Sequence, residues 1–252
     1  MSTSIERTFK DHFSSHAASY AAYRPRYPVA LFHWLAVVAP GTVQAWDAGT
    51  GNGQVALGLV TRFSRVRATD ASAEQIAQAV PHPRISYAVA QYESGLEGRS
   101  ADLVTAGQAL HWFDADAFCG EACRVLRPGG ILAVFGYKYS TVAPEVDELV
   151  RHHLEMRLGQ YWPPEHRTIN DEYRGIALPI DELVPPPLEL REDWSLAQYI
   201  GFLRTWSGTR RFIEARGEEP ILEFERALTE AWGASTRRAV RWELFVRAGE
   251  VR

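Results

Sequence analysis

Cysteine is nearly absent from this 252-residue chain, and so are long apolar runs. The two cysteines, Cys119 and Cys123, stand four residues apart in a predicted helix, so the sequence offers neither a disulfide framework nor a zinc-binding set. No apolar run reaches the ~18 residues of a membrane span, and residues 1–7 lack the apolar core of a signal peptide. We therefore expect a cytoplasmic protein that binds no metal and no membrane.

An excess of positive charge is also missing. The 27 Lys and Arg residues are outnumbered by 31 Asp and Glu, which gives a net charge of -4. A protein that neutralises many phosphates would need the opposite balance, so a nucleic-acid partner is disfavoured. We expect a small-molecule substrate and a monomer or homodimer.

What the sequence does have is a glycine-rich turn after a short apolar run. Asp47 ends the run, and Gly49, Gly51 and Gly53 follow at alternate positions, before an apolar segment of helical character. This pattern predicts the strand, tight turn and helix that open a Rossmann-like unit. The dinucleotide fingerprint G-x-G-x-x-G is not met, because position 54 is Gln.

Strands and helices alternate from residue 43 to residue 137, which predicts a doubly wound sheet. The expected fold class is α/β, with a Rossmann-like, seven-stranded, mostly parallel sheet in a single domain over residues 1–252. We divide the chain into four parts: an N-terminal helical cover (1–40), a cofactor-binding core (41–137), a mainly helical substrate-side insertion (138–235) and a C-terminal edge strand (236–252).

Several residues are predicted to reach the ligand edge of this sheet. Asp70 ends the second strand, 19 residues beyond Gly51, where Rossmann-like folds place a carboxylate on ribose hydroxyls. The alternative is that Asp70 caps the following helix. Gln91 and Tyr92 follow the third strand and are expected beside the adenine edge, and Gln108 follows the fourth strand.

A stiff basic and aromatic turn, Tyr-Arg-Pro-Arg-Tyr-Pro, stands at residues 23–28. Its prolines restrict the backbone, and its arginines could hold an anionic group by charge-assisted hydrogen bonds. We predict that residues 8–28 cover the cofactor and that Tyr20, Arg24 and Tyr27 face the cleft. The alternative is a solvated turn that only closes the end of the domain.

These stretches together resemble the class I S-adenosylmethionine (SAM) methyltransferases, and more narrowly the small-molecule branch that includes trans-aconitate methyltransferase. The resemblance rests on five segments: residues 23–28, 47–53, 109–113, 124–130 and 203–207. It implies SAM as the cofactor, with the loop around Thr50 on its methionine part, Asp70 on its ribose and Ala71 under its adenine. In that loop it assigns the methionine contacts to Asp47, Gly49, Gly51 and Gly53.

Methyl transfer from a sulfonium depends more on an in-line nucleophile and a dry pocket than on catalytic side chains of the protein. His111 follows the fourth strand, where it could act as a general base for a hydroxyl or as a hydrogen-bond donor to a carboxylate; a packed structural histidine is the alternative. The residues predicted to line the acceptor pocket are Tyr27, His111, Trp112, Tyr161, Trp162 and Trp206.

The function predicted from these residues is SAM-dependent transfer of a methyl group to a small organic acceptor, on a carboxylate or hydroxyl oxygen. Three alternatives stay open. One is a SAM-binding regulatory or partner protein without catalysis, and another is methylation of a macromolecule. The last, a nicotinamide dehydrogenase, is disfavoured by Gln54.

Overall fold

The structure is a computed structural model that describes residues 23–252. Tyr20 and most of the predicted cover lie outside these residues. The helices are α1 Val29–Val38, α2 Gln54–Leu59, α3 Ala73–Ala77, α4 Ala115–Val125, α5 Pro144–His152, α6 Arg167–Asn170, α7 Leu196–Arg204, α8 Ser207–Arg216 and α9 Glu219–Trp232. The strands are β1 Gln44–Ala48, β2 Arg65–Asp70, β3 Ile85–Val89, β4 Ala101–Gly107, β5 Leu126–Thr141, β6 Ile180–Glu182, β7 Leu190–Trp194 and β8 Arg238–Val251.

One eight-stranded sheet runs through the described part of the chain, in the order β3-β2-β1-β4-β5-β8-β6, and β7 also pairs with β8. Neighbouring strands from β3 to β5 are parallel, whereas β8 is antiparallel to β5. This confirms the doubly wound α/β fold, with one strand more than the seven predicted.

The C-terminal segment forms a strand, but the prediction that it lies at the edge is wrong. β8 pairs with β5 on one side, while β6 and β7 pair with opposite ends of its other side. Alternating polarity indicates one solvated face, which an interior strand of an antiparallel pair also shows. The pattern therefore cannot distinguish an edge strand from an interior strand.

The two faces of the sheet carry separate cores, because successive side chains of a strand point in opposite directions. On β5, Ile131 and Ala133 belong to the cluster that contains α1 and α2, whereas Leu132 and Val134 belong to the cluster that contains α4. All five residues of β1 are buried. The sheet is thus covered on both faces around β1 and β4, which leaves their carboxyl ends as the accessible edge.

A third core lies among the helices after residue 143. Its largest fully buried side chains are Tyr199, Phe202 and Trp232, and Tyr137 and Trp242 join it to β5 and β8. Helix α7 begins at a capping box, in which the Ser195 side chain accepts a hydrogen bond from the Gln198 amide and the Gln198 side chain accepts one from the Ser195 amide. Helix α5 continues directly into a π-helical turn, His153–Leu158.

Candidate active site

A cavity of about 460 Å³ opens at the carboxyl ends of β1, β2 and β4, the edge at which doubly wound sheets bind ligands. Its volume lies in the range of small-molecule and cofactor sites. Twelve of the predicted site residues line it: Arg24, Tyr27, Gly49, Thr50, Gly51, Asp70, Ala71, Gln91, Tyr92, Gln108, His111 and Trp112.

The three glycines of the loop have left-handed backbones, which explains why side chains are missing there. A methyl group at Gly49 would lie 2.6 Å from the Ala109 Cβ, so that position is needed for close packing. At Gly51 it would meet only the Gln75 Oε1, at 3.7 Å, where the loop borders the cavity. Gly53 packs against Tyr87 and does not line the cavity.

The Asp70 carboxylate is fixed at the edge of the cavity by two backbone amides. Its Oδ2 accepts a hydrogen bond from the Gly51 amide at 2.8 Å, and its Oδ1 accepts one from the Ser72 amide at 2.9 Å. The cap of α3 is the Ser72 side chain, which accepts from the Gln75 amide, so the capping role considered for Asp70 belongs to Ser72. A carboxylate at this edge is a group that can accept hydrogen bonds from ribose hydroxyls.

Asp47 is fully buried behind the glycine loop and does not line the cavity. Its Oδ2 accepts from the Thr50 hydroxyl at 2.5 Å and its Oδ1 from the Thr105 hydroxyl at 2.8 Å, which ties the loop to β4. Burial raises the pKa of Asp47 to about 7. The resemblance assigned a cofactor contact to Asp47, but it is Thr50, the residue whose hydroxyl Asp47 holds, that lines the cavity.

The cavity is also lined by three polar side chains, those of Gln75, Gln91 and Tyr92. Gln75 is 3% exposed, and its Oε1 has no hydrogen-bond partner within the described structure. Gln91 donates to the Tyr92 hydroxyl at 2.9 Å, which also accepts from the Asp114 amide. SAM carries donors on its ribose, adenine and ammonium groups, and the buried Gln75 Oε1 is an acceptor that such a donor would satisfy. Sequence reasoning missed Gln75, because a helical glutamine carries no motif.

At the end of β4, Gln108 has a left-handed backbone, with φ of 53°. Its side-chain amide pairs with the Tyr137 backbone: Oε1 accepts at 2.8 Å and Nε2 donates at 3.2 Å. The amide thus continues the pairing of β4 with β5 beyond the last strand residue. A non-glycine residue in this conformation is typical of functional sites, where neighbouring contacts hold the strain.

His111 lies in a short 3₁₀ turn, Leu110–Trp112, after β4. Its Nδ1 is 3.0 Å from the Tyr173 hydroxyl, and its ring packs on Trp112 at 4.6 Å between centroids. Burial, aided by the nearby His166 and Arg24, lowers the pKa of His111 to about 3. The imidazole is therefore neutral at physiological pH.

A smaller chamber of about 70 Å³ adjoins the main cavity, and we call it the acceptor chamber. It shares Arg24, Gln108, His111, Trp112 and Tyr137 with the main cavity. Its other side chains are largely aromatic: Tyr139, Trp162, His166, Phe202 and Trp206. Of the predicted acceptor-side residues, Tyr161 lines neither chamber, since its ring packs edge-on against Phe212 at 5.2 Å.

Charge in the acceptor chamber is positive. Arg24 donates to the Tyr137 hydroxyl at 3.0 Å and lies 5.5 Å from the centre of the Phe202 ring. Among the residues of 23–252 that line the chamber, none is Asp or Glu. His166 packs on Trp162 at 4.0 Å, and burial together with Arg24 lowers the pKa of His166 to about 4. Sequence reasoning missed His166, which carries no motif.

The described residues contain no helix long and apolar enough to cross a membrane. Within 23–252, no cluster of three or more His, Cys, Asp or Glu side chains could hold a metal ion.

Comparison with known proteins agrees with this geometry. Residues 46–134 match the family described as a methyltransferase domain. A Dictyostelium discoideum protein named as a candidate methyltransferase is 31% identical over 229 residues, 89% of this chain and 87% of the relative. A solved structure of a candidate type II methyltransferase from Anaeromyxobacter dehalogenans is 43% identical, with a TM-score of 0.85, and the match covers 90% of this chain and 98% of that one. An uncharacterized methyltransferase of Mycobacterium tuberculosis is 34% identical over 135 residues, 52% of this chain and 54% of the relative.

The chain belongs to the class I SAM-dependent methyltransferases. It is an enzyme of that class, and SAM is its cofactor. These relatives do not assign it to the trans-aconitate branch.

Proposed function

We propose that this enzyme transfers the methyl group of SAM to a carboxylate oxygen of a small, partly apolar organic acid. The observation that carries the proposal is the acceptor chamber: an aromatic wall, the Arg24 cation, and no Asp or Glu among the described residues that line it. A carboxylate with a short apolar body is complementary to such a wall.

The cofactor residues follow from the main cavity. We assign the methionine part to the loop of Gly49, Thr50 and Gly51, the ribose hydroxyls to Asp70, and the adenine to the Ala71 and Gln91 side, with the Gln75 Oε1 as an additional acceptor. When bound, SAM supplies a methyl group activated by its sulfonium. The protein holds that group beside the acceptor chamber and excludes water from it.

The state of His111 favours a carboxylate over a hydroxyl as the acceptor. A general base is most effective when its pKa lies near the operating pH, and burial holds the pKa of His111 at about 3. It is therefore a weak base for a phenol or an alcohol. A carboxylate is already ionised at neutral pH, and a neutral imidazole can donate a hydrogen bond to it.

The test is a comparison of matched acceptors with methyl-labelled SAM. Aromatic and aliphatic monocarboxylates should take up label as base-labile methyl esters, whereas their primary amides should not. Labelled phenols with unlabelled acids would move the acceptor to a hydroxyl. Robust labelling of RNA or protein, with no small molecule labelled, would overturn the substrate class.

Two variants test whether Arg24 binds the acid and whether His111 acts on the acceptor side. Arg24→Gln should raise the KM for the acid about tenfold or more, as expected for loss of a charged hydrogen bond. The exposed Arg62→Gln is the matched control.

His111→Ala should lower turnover more than SAM affinity, since His111 lies where the two chambers meet. Normal turnover at saturating cofactor with lost SAM affinity would reverse that assignment.

A further inference from the structure

Tyr173 lies behind His111, outside both chambers. It is fully buried, its hydroxyl is 3.0 Å from the His111 Nδ1, and the two rings are nearly parallel, 19° apart with centroids at 6.1 Å. The two residues are 62 positions apart in sequence. Because Nδ1 faces Tyr173, Nε2 is the ring nitrogen left for the chambers that His111 lines.

The backbone that carries Tyr173 is unusual. Glu172 and Tyr173 both have left-handed conformations, with φ of 55° and 58°, which non-glycine residues rarely adopt. Consecutive strained residues persist only when their surroundings hold them, and they concentrate at functional sites.

Contacts from β5 and β8 hold this turn. Arg247 donates to the Tyr173 carbonyl at 2.5 Å and to the Ile176 carbonyl at 2.9 Å. Lys138 forms an ion pair with Glu172 at 2.5 Å, and Phe245 packs edge-on against the Tyr173 ring at 5.3 Å. Both neighbouring strands therefore fix the direction of the Tyr173 hydroxyl.

We propose that Tyr173 is a positioning residue: its hydroxyl donates to the His111 Nδ1 and holds His111 as the Nε2–H tautomer, which presents a hydrogen-bond donor to the acceptor. The proposal rests on the proposed function, because a carboxylate acceptor selects the Nε2–H tautomer, but the tautomer itself is measured on the protein without substrate.

The proposed acceptor selects the direction of this hydrogen bond, because a tyrosine hydroxyl can either donate or accept. A neutral imidazole has one donor and one acceptor nitrogen, and the hydrogen bond at one nitrogen selects the state of the other. Burial keeps the pKa of His111 near 3, so the doubly protonated ring is not populated at neutral pH. The opposite tautomer would turn a lone pair towards a carboxylate and repel it.

The test is the nitrogen NMR spectrum of the histidine side chains at pH 7, since Nδ1 and Nε2 shifts distinguish the tautomers. The His111→Ala spectrum assigns the His111 signals. Wild-type protein should show the Nε2–H form, and Tyr173→Phe should convert His111 to a mixture or to the Nδ1–H form. Tyr199→Phe is the matched control: it also removes a fully buried tyrosine hydroxyl, which lies 2.9 Å from the Ser140 Oγ, and it should leave the His111 signals unchanged.

A wild-type spectrum that shows the Nδ1–H form overturns the proposal, even if Tyr173→Phe fails to fold. An unchanged Nε2–H form in folded Tyr173→Phe overturns it too. The NMR measurement does not depend on turnover, so its outcome is independent of the acceptor assay.

With an acid substrate, Tyr173→Phe should raise KM roughly tenfold, and this effect should vanish in the His111→Ala background. The same rise without His111 would make Tyr173 merely structural.

Discussion

Single residues at the cavity divide into those that border it and those that hold the border in place. Asp70 borders it, with both carboxylate oxygens anchored by backbone amides. Asp47 stands behind it and ties Thr50 to Thr105. The two acids of the Rossmann-like unit therefore have different physical roles, and substitutions should separate them.

Asp70→Ala should weaken binding of S-adenosylhomocysteine by about 1.5–3 kcal/mol, as expected for hydrogen bonds to a charged group. Titration calorimetry measures this directly. Asp181→Ala, which removes an exposed carboxylate on β6, is the control and should bind normally. An unchanged affinity in Asp70→Ala would show that Asp70 only supports the turn.

Asp47→Asn should change how stability depends on pH. Burial raises the pKa of Asp47 to about 7 from an unfolded value near 3.8. Its contribution to stability is therefore full below about pH 4 and is lost as the pH rises through about 7. Asparagine cannot ionise, so the free energy of unfolding of the variant should rise relative to that of wild type between pH 4 and pH 8, by on the order of 4 kcal/mol, as urea unfolding measures. A constant difference between the two proteins would contradict the raised pKa.

At the scale of elements, the helical region after β5 contains a π-helical turn that begins at His153. This histidine is 3% exposed, its ring stacks on Phe224 at 4.0 Å, and its Nδ1 lacks a hydrogen-bond partner within the described structure. Burial lowers the pKa of His153 to about 4, with Arg157 and His152 adding to the effect. The turn thus encloses a neutral imidazole that cannot easily accept a proton.

The consequence is a loss of stability in mild acid. Below the unfolded pKa of about 6.5, the unfolded chain takes up a proton at this site while the folded chain does not, down to about pH 4. His153→Phe keeps an aromatic ring stacked on Phe224 and removes the titrating imidazole. Between pH 8 and pH 5, its free energy of unfolding should therefore fall by about 1–2 kcal/mol less than that of wild type. Urea unfolding at both pH values measures this, with the exposed His152→Phe as control. Equal losses in His153→Phe and wild type would count against it.

The pairing of β6 with β8 depends on one glycine. A methyl group at Gly249 would clash with the Asp181 carbonyl of β6, whereas one at Gly120 on α4 meets nothing within 4 Å. Gly249→Ala should lower the free energy of unfolding by about 1–3 kcal/mol. Gly120→Ala should raise it by about 0.5–1 kcal/mol, because alanine favours the helix. Gly249→Ala with wild-type stability in urea would mean that the β6 pairing contributes little.

For the whole molecule, the sequence predicted those features that depend on local pattern. The glycines at 49, 51 and 53 require a tight turn wherever they occur, and the apolar run of β5 requires burial on both faces. The doubly wound sheet followed from the alternation of strands and helices, and the position of Asp70 followed from its distance to the glycine loop. The structure confirms the fold, and most of the residues predicted to bind the cofactor line the cavity.

Contacts between distant segments could not be predicted in this way. Tyr173 meets His111 across 62 residues, and the interior position of β8 depends on where β6 and β7 return to the sheet. Sequence reasoning placed Trp162 and Trp206 on the acceptor side without showing that His166 packs on Trp162 there. Such long-range contacts are set by tertiary packing, which leaves no local periodicity in the sequence.

The central claim is that the cofactor lies along Gly51 and Asp70, with its sulfur directed towards the acceptor chamber. A crystal structure of the complex with S-adenosylhomocysteine tests this most directly. We expect both ribose hydroxyl oxygens within about 3.2 Å of the Asp70 carboxylate and the sulfur facing His111 and Arg24. An adenine seated between Trp162 and Trp206, or a ribose that makes no contact with Asp70, would contradict it.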